Sequence, residues 1–239
     1  MATTSRHLKI QDPALSEQLD YYRARASEYD QWWLRQARYD RGTVDNRRWF
    51  DDSRALEAQL AQFRPAGRIL EMASGTGIWS EKLLPFATEL TLVDGSREML
   101  HLAERRFQSP KVQYTQANLF DWNPGGKFDT VFFSFWLSHV PPAQFTRFWD
   151  LVGRCLAPGG RVFFIDSRHE PTSTALDHLL PNAGATQLKR RLNDGREFRI
   201  YKVFHDPDEL QSRMAGLGWN LQVAATERYF IHGHGSPCT

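Results

Sequence analysis

The sequence predicts an α/β protein built on a doubly wound parallel sheet. From Arg68 to Ser167, short apolar strands alternate with amphipathic helical segments. The strands are nearly continuous runs of Val, Ile, Leu and Phe, which is typical of parallel strands covered on both faces. The first strand also runs directly into a loop with two glycines. Ligands of such sheets bind at the carboxyl ends of the strands, so we expect the functional site there.

Two helices are predicted before the first strand, and we expect residues 1–66 to form an N-terminal helical cap. Asp12 and Pro13 suit the N-cap and the first helical position. Apolar residues then recur at three- and four-residue steps, which predicts one helix that continues to near Gly42. The second helix, NRRWFDDSRALEAQLAQF, ends at Phe63 before a proline and a glycine.

The core elements follow in a regular order after the cap. We predict strands at RILEMA, ELTLVD, KVQYTQA, FDTVFFSFW and GRVFFIDS, with helices starting at Gly77, Ser96 and Pro142. The segment TQLKRRLNDGREFRIYKVF then predicts a hairpin that turns at Asn-Asp-Gly, residues 193–195. A capped helix, DPDELQSRMAGLGW, precedes a closing strand or hairpin. We treat residues 67–239 as the core, with the hairpin inserted at about 171–204.

Charge and cysteine content limit the functions to consider. The 239 residues carry 30 Lys and Arg against 28 Asp and Glu. Without a strong basic field, we expect no nucleic-acid or membrane partner and a small-molecule ligand instead. Cys155 and Cys238 form no metal-binding spacing, and no apolar run reaches the roughly 18 residues of a membrane span. With no apolar signal-peptide core at the start, we expect a cytoplasmic protein.

The segment ILEMASGTGIWS, residues 69–80, is the strongest candidate for a nucleotide or nucleoside site. A Walker loop would need a Lys after Gly75 or Gly77 at the GxxxxGK spacing, and none is present. A GxGxxG fingerprint would use the same two glycines but meets Ser80 at its third position. Glu71 and Asp94 end the first and second strands, where carboxylates bind sugar hydroxyls and repel a pyrophosphate. They favour a nucleoside that carries an amino acid and a sulfonium.

Five segments of the chain resemble the class I S-adenosylmethionine-dependent methyltransferases, in particular the small-molecule branch of ubiquinone and menaquinone biosynthesis. LEMASGTG is similar to the family's [DE]xGxGxG loop, VDGSREML to its ribose-binding segment and QANLFDW to its adenine-contacting turn. FDTVFFSFWLSHVPP resembles its fourth strand, and LAPGGRVFFID its approach to the fifth. The resemblance implies a Rossmann-like class I methyltransferase sheet and S-adenosyl-L-methionine as cofactor. It also implies methyl transfer to a small molecule, which we expect to be aromatic or lipophilic.

The resemblance also assigns roles to individual residues. It implies that Glu71 orients the amino-acid end of the cofactor and that Asp94 binds the ribose hydroxyls. Ala73 replaces the commoner glycine, which implies that this position need not take a positive φ. Asn118 replaces an aspartate, and its amide oxygen can still accept a hydrogen bond from adenine. The implied cofactor-binding set is Glu71, Ala73, Ser74, Gly75, Gly77, Asp94, Gly95, Ser96, Met99, Asn118, Leu119, Phe120 and Ser134.

The catalytic residues follow from the chemistry of the sulfonium. Its methyl group is already activated, so the protein mainly holds the acceptor in line with the carbon–sulfur bond. An acceptor that carries a proton also needs a base, for which His139 is the candidate; the alternative is that His139 only fixes its loop. We expect Tyr22 and Tyr29 to act with it from the inward face of the cap. The expected pocket wall is Tyr21, Tyr22, Tyr29, Trp32, Trp33, Phe135 and Trp136.

The sequence gives little support for a catalytic metal. The stretch FSFW supplies no acid at the end of the fourth strand, although Asp166, Arg168, His169 and Glu170 follow the fifth. We interpret HGHG near the carboxyl end of the chain as an incidental polar tail.

The basic hairpin leaves three interpretations open. It can be a solvated face, a homodimer contact, or an anchor for a carboxylate or phosphate on the acceptor. Its basic residues are Lys189, Arg190, Arg191, Arg196, Arg199 and Lys202.

Two further functional classes remain beside methyl transfer. The same bound sulfonium can serve intramolecular cyclisation, or the chain can bind it without transferring methyl. The other class is a nicotinamide-dependent oxidoreductase. Its cofactor contains a pyrophosphate, which the carboxylate of Glu71 disfavours.

Overall fold

A seven-stranded sheet forms the centre of the protein in the computed structural model, which describes residues 12–180, 182 and 184–238. In chain order the strands of the described residues are β1 (Gly67–Met72), β2 (Ala87–Asp94), β3 (Val112–Gln116), β4 (Phe128–Ser134), β5 (Leu156–Ser167), β6 (Gln187–Arg191), β7 (Glu197–Tyr201), β8 (Trp219–Ala225) and β9 (Phe230–Pro237). Seven of these strands belong to the large sheet, and β6 and β7 form a separate pair. The large sheet has the order β3-β2-β1-β4-β5-β9-β8. Strands β1 to β5 are parallel and β9 is antiparallel to both neighbours. The predicted doubly wound parallel sheet is confirmed.

The topology fixes where a ligand can bind. The chain moves from β1 outward to β2 and β3, then returns to β4 on the other side of β1. The carboxyl ends of β1 and β4 therefore flank the point where the strand order reverses, which is the ligand crevice of a doubly wound sheet. Met72 and Ser134 end these two strands, and both are followed by loops that line cavities.

Helices cover both faces of the sheet. They are α1 (Pro13–Arg25), α2 (Tyr29–Trp33), α3 (Gly42–Phe63), α4 (Ser80–Leu83), α5 (Arg97–Arg106), α6 (Phe145–Cys155) and α7 (Pro207–Gly216). Successive strand residues point to opposite faces, so Leu70 and Phe133 enter one apolar cluster while Ile69 and Phe132 enter the other. The two clusters explain why these strands read as unbroken apolar runs.

The N-terminal cap is present, but the prediction of one helix reaching near Gly42 is wrong. Helix α1 stops at Arg25, and a 3₁₀ turn separates it from the short α2. Arg35 and Ala37 then take φ values of 54° and 51°, which no helix can continue through. Tertiary contacts favour the break, because Trp32 Nε1 donates to the carbonyl of Ser173 at 2.8 Å. A straight helix would carry that indole away from its partner.

Other boundaries also differ from the prediction, among them the following two. The helix expected from Gly77 starts at Ser80, since Gly77 has a φ of 84° and still belongs to the loop. Strand β9 continues to Pro237, so His232 and His234 lie inside the sheet opposite Ile165 and Phe163. The interpretation of these histidines as a polar tail is therefore wrong.

The predicted hairpin is confirmed as the antiparallel pair β6–β7. Gly195 has a φ of 90° at its turn, a conformation that glycine adopts without strain. Helix α1 packs on β7, where the rings of Tyr21 and Phe198 lie 5.7 Å apart. Gln18 also accepts a hydrogen bond from the Tyr201 amide at 2.9 Å. The hairpin thus holds the cap against the edge of the sheet that carries the strand ends.

Candidate active site

A cavity of about 780 Å³ lies at the carboxyl ends of β1, β2 and β4, beneath α1. Most of the predicted cofactor residues line it, and Ser74 lines a smaller cavity beside it. Glu71, Gly77 and Ser96 do not line this cavity. A Cβ at Gly77 would lie 3.2 Å from the Cβ of Ala103, so Gly77 allows the loop to pack closely against α5. The predicted residues that line the large cavity are Ala73, Gly75, Asp94, Gly95, Met99, Asn118, Leu119, Phe120 and Ser134.

Asp94 is held at the tip of β2 by the backbone. Its Oδ2 accepts from the Gly75 amide at 2.9 Å, and its Oδ1 accepts from the Ser96 amide at 2.8 Å. Burial raises the pKa of Asp94 to about 6, although these two hydrogen bonds oppose the shift. Each oxygen can accept a further hydrogen bond and Asp94 lines the cavity, an arrangement that suits a pair of sugar hydroxyls.

Glu71 is a buried carboxyl with one free oxygen. It is 1% exposed, and its Oε2 accepts from Ser80 Oγ at 2.5 Å while Oε1 has no hydrogen-bond partner. Burial raises the pKa of Glu71 to about 8, and the bond from Ser80 opposes this shift. Ser74 Oγ and Trp79 Nε1, beside the same loop, are also buried without partners. Such unsatisfied polar atoms fit a ligand end that carries an ammonium and a carboxylate.

The loop after β1 contains a residue other than glycine in the left-handed conformation. Ala73 has a φ of 52°, so the inference that this position need not take a positive φ is wrong. The Ser74 amide donates to the carbonyl of Val93 at 3.2 Å, and this bond to the end of β2 fixes the turn. For a residue with a Cβ the left-handed conformation costs about 1 to 2 kcal/mol. Close packing of loop and strand overrides that local preference.

The far end of the large cavity has apolar walls and amide groups. The rings of Phe120 and Trp136 lie 5.6 Å apart and both line it. Asn118 Oδ1 accepts from the Phe120 amide at 3.1 Å, and its Nδ2 donates to Asp121 Oδ2 at 3.3 Å. One lone pair of the Asn118 oxygen therefore remains for an adenine amino group.

A second cavity, of about 50 Å³, adjoins the first. Tyr22, Tyr29 and Phe135 line both, so these three aromatic rings stand at the junction. Among the described residues, its wall contains three cationic side chains and no carboxylate. The polar and charged members of this wall are Tyr21, Tyr22, Arg25, Tyr29, Tyr39, His139, Ser167, Ser173, Thr174, His178, Arg190 and Lys202.

The three cations reach the second cavity from separate elements. Arg25, 8% exposed, ends α1, and its guanidinium carbon lies 4.9 Å from the ring centre of Tyr29. Its Nη2 donates to Tyr39 Oη at 3.3 Å, while its Nε has no partner. Arg190, on β6, is half-buried and donates from Nη1 to Thr174 Oγ1 at 2.7 Å. Neither guanidinium makes an ion pair with a carboxylate of the described residues.

Lys202 follows β7 and is 6% exposed. Its Nζ donates to Ser138 Oγ at 2.8 Å and to Ser167 Oγ at 3.3 Å, and it lies 3.5 Å from Asp166 Oδ1. Burial lowers the pKa of Lys202 to about 8, with Asp166 opposing the shift. Among the described residues, Asp166 is the one carboxylate within ion-pair distance of any of these three cations, and it pairs with Lys202.

The other basic residues of the hairpin face solvent. Lys189 pairs with Glu197, and Arg196 pairs with Asp194, all on exposed side chains. The hairpin therefore combines a solvated outer face with two cations, Arg190 and Lys202, that line the cavity.

The predicted catalytic residues lie together at the junction of the two cavities. His139 is 6% exposed; its Nε2 lies 2.8 Å from Tyr22 Oη and its Nδ1 lies 2.6 Å from the carbonyl oxygen of Tyr201. The rings of Tyr22 and Tyr29 are 6.4 Å apart. Burial, followed by the charge of Lys202, lowers the pKa of His139 well below its usual value. His139 lines the second cavity only, so it reaches the first through Tyr22.

Arg25 was not among the residues predicted from the sequence. A signal was available: Arg25 lies four residues after Tyr21 and four before Tyr29, which places all three on one helical face. The break after Arg25 keeps it beside both tyrosines, within 5.5 Å of the Tyr21 ring centre. Among the described residues, no group of three or more His, Cys, Asp or Glu is arranged to hold a metal ion.

Comparison with known proteins agrees with this geometry. A family model described as a methyltransferase domain matches residues 69–160. The ubiquinone biosynthesis O-methyltransferase of Xanthomonas axonopodis pv. citri (strain 306) is 30% identical over 173 residues, 70% of this chain and 69% of that protein. A solved structure described as the DhpI-SAM-HEP complex is 38% identical with a TM-score of 0.77, covering 94% of this chain and 98% of that one.

A DhpI-SAH complex gives a TM-score of 0.76 at 37% identity. The N-methyltransferase NodS from Bradyrhizobium japonicum WM9, in complex with S-adenosyl-L-homocysteine, is 15% identical with a TM-score of 0.61 and supports the fold alone. The chain belongs to the class I S-adenosylmethionine-dependent methyltransferases. Its cofactor is S-adenosyl-L-methionine, and it is a small-molecule methyltransferase, as the sequence predicted.

Proposed function

We propose that this enzyme transfers the methyl group to an anionic oxygen of a small acceptor, on a carboxylate or a phosphate-type group held in the second cavity. One observation carries the proposal: among the described residues, three cations and no carboxylate line a cavity that shares Tyr22, Tyr29 and Phe135 with the cofactor cavity. The solved DhpI-SAM-HEP complex, a close structural neighbour, supports a site that takes a second ligand beside the cofactor.

Electrostatics favours an anion in this cavity. Removing a cation from water costs several kcal/mol unless an opposite charge compensates it, and Asp166 offsets only part of the charge of Arg25, Arg190 and Lys202. The cavity, at about 50 Å³, suits a single anionic head group, while the rest of an acceptor extends toward the larger cavity. An aromatic or lipophilic body for the acceptor stays a prediction.

An anionic acceptor also simplifies the chemistry. S-adenosylmethionine supplies a methyl group on a positively charged sulfur. The acceptor oxygen forms a bond to that methyl carbon as the carbon–sulfur bond breaks, and the sulfur keeps the electron pair. Because the oxygen is already deprotonated, no base is required, and the chain contributes orientation and charge. Arg25, Arg190 and Lys202 hold the anion, and Tyr22 and Tyr29 line the junction through which the rest of the acceptor reaches the cofactor cavity.

The remaining assignments belong to the same proposal. Glu71 binds the amino-acid end of the cofactor through its free Oε1, Asp94 binds the ribose, and Asn118 contacts adenine. We also propose a cytoplasmic enzyme with the 1–66 cap and 67–239 core as one unit, in which the exposed outer face of the hairpin is a homodimer contact. The two isolated cysteines, both unpaired, are consistent with a reducing compartment. No helix of the described residues is long and apolar enough to cross a membrane.

The proposal is tested by following charge. Methylation of an anionic oxygen removes one negative charge from the acceptor, whereas methylation of a hydroxyl or amine on the same molecule does not. The enzyme is incubated with methyl-labelled S-adenosylmethionine and a metabolite extract separated on an anion exchanger. Label should enter compounds of the anionic fraction, and each product should elute earlier than its parent. Label confined to the neutral fraction, or products with unchanged elution, would contradict the proposal.

A further inference from the structure

Tyr22 connects the two cavities to a buried histidine. Its ring lines both cavities, and its hydroxyl lies 2.8 Å from His139 Nε2. The other ring nitrogen of His139 lies 2.6 Å from the carbonyl oxygen of Tyr201. Gln18 stiffens this arrangement, because its amide donates to the His139 carbonyl at 3.2 Å and accepts from the Tyr201 amide. Tyr22, His139 and the Tyr201 carbonyl thus form a short hydrogen-bonded chain from the cavity junction to β7.

The direction of the protons in this chain is determined by its last member. A carbonyl oxygen only accepts, so Nδ1 of His139 must carry the proton that it donates to Tyr201. A neutral imidazole then has a bare Nε2, which accepts from the hydroxyl of Tyr22. The proton of Tyr22 is therefore engaged by His139 and is not offered to a ligand in the cavities.

The surroundings of His139 keep it neutral. The charged groups that act most strongly on it are the cations Lys202, Arg190 and Arg25, and it is almost fully buried. Burial, then the charge of Lys202, holds the pKa of His139 well below its usual value, while the bond to Tyr201 opposes this. A second proton on His139 would reverse the polarity of Tyr22, and this environment disfavours it.

We infer that the Tyr22–His139 pair selects the methyl acceptor. Tyr22 Oη, with its proton held by His139, offers only lone pairs to the second cavity, and it therefore favours a methyl acceptor that carries a hydroxyl or amine beside its anionic group. This inference rests on the proposed anionic acceptor. The cations of the cavity are donors that hold the anion, and lone pairs on Tyr22 Oη repel it. A hydroxyl or amine next to the anion gives Tyr22 a donor and leaves the oxygen satisfied. His139 is a positioning residue in this arrangement and does not take the proton of the acceptor.

Matched probes that differ by one hydroxyl test the inference. The protein is saturated with S-adenosylhomocysteine and titrated with acetate against glycolate, and with methylphosphonate against hydroxymethylphosphonate, followed by ligand-observed NMR. In the wild type the hydroxylated member of each pair should bind about five- to tenfold more tightly, the range expected for one net hydrogen bond. Tyr22→Phe should bind both members of a pair equally. Tyr114→Phe is the matched control, since its hydroxyl donates to the Phe107 carbonyl away from both cavities.

His139→Leu adds a readout that a purely structural role would not move. Without the imidazole, the Tyr22 proton becomes free to donate to an anion. The unhydroxylated probes should therefore bind more tightly than in the wild type, while the preference for the hydroxyl shrinks.

The outcomes separate this inference from the proposed function. Equal binding of both members of each pair by the wild type would overturn the inference and leave the anion site in place. A preference retained in Tyr22→Phe would also overturn it, since another group would then select the hydroxyl. Failure of all four probes to bind would remove the anionic acceptor and the inference with it.

Discussion

Replacing Asp94 with asparagine should stabilise the ligand-free enzyme while weakening cofactor binding. Burial raises the pKa of Asp94 to about 6 in the folded protein, above its ordinary value of 3.8. For an acid with a raised folded pKa, the unfolded chain loses its proton first as pH rises. The free energy of unfolding therefore falls between about pH 3.8 and 6, and the full penalty applies above pH 6. Asparagine carries no charge and escapes that penalty.

The structure sets the size of both effects. A shift of about two pKa units corresponds to about 3 kcal/mol at pH 8. Asparagine keeps one acceptor for the Gly75 and Ser96 amides but loses their charge-assisted bonds, so we expect a net gain of about 1 to 2 kcal/mol. Loss of a charged acceptor for the ribose hydroxyls should weaken S-adenosylhomocysteine by about 10- to 100-fold, or about 1.5 to 3 kcal/mol.

Urea unfolding at pH 5 and pH 8, together with calorimetry of S-adenosylhomocysteine binding, provides the assay. The gain in unfolding free energy should be larger at pH 8 than at pH 5. Asp51→Asn, on the exposed face of α3, controls for loss of a surface charge. Lower stability of Asp94→Asn at pH 8 would refute the burial penalty, and unchanged affinity would place the ribose elsewhere.

Three further predictions concern other parts of the site. Lys202→Met should weaken the binding of inorganic phosphate about tenfold or more, because a buried cation is lost. The binding is measured by calorimetry in the presence of S-adenosylhomocysteine. Lys189→Met should leave phosphate binding unchanged, since Lys189 is exposed and paired with Glu197. Equal losses in both variants would mean nonspecific screening. Ala73→Gly should raise the free energy of unfolding by about 0.5 to 1 kcal/mol in urea, since it relieves a positive φ but adds unfolded-state entropy; a loss would show that the Ala73 methyl packs favourably. Chelation with EDTA should leave methyl transfer unchanged, because the described residues contain no metal-holding cluster, and activity restored by magnesium would contradict this.

The sheet and the cofactor site were predictable because their signals are local. Strands buried on both faces must be apolar throughout, and the acids at the tips of β1 and β2 lie within the same short motifs as the glycines. The carboxyl ends of neighbouring parallel strands meet at one edge, so Glu71, Asp94 and Ser134 had to lie near one another. Their separate contacts, such as Glu71 with Ser80, follow from packing and required the structure.

The acceptor cavity was only partly predictable because no local pattern encodes it. Arg25, Arg190 and Lys202 come from the end of α1, from β6 and from the segment after β7, and only tertiary folding brings them together. The basic composition of the hairpin was compatible with binding an anion. It did not indicate which of the basic side chains point into the cavity and which face solvent. The conformation of Ala73 and the break after Arg25 were missed for a related reason, since contacts with Val93 and Ser173 override the local preference.

The two cavities of this active site are formed by different segments of the chain. Strand ends between β1 and β4 supply the groups around the methyl donor, whereas the cap and the hairpin supply nearly all the charges around the second cavity. A chimera that keeps residues 67–170 and receives the cap and hairpin of a related enzyme should therefore retain the donor and acquire the other enzyme's choice of recipient. Divergence within such a lineage can proceed by rewriting these two peripheral pieces alone, with no disturbance to the chemistry of the strand ends.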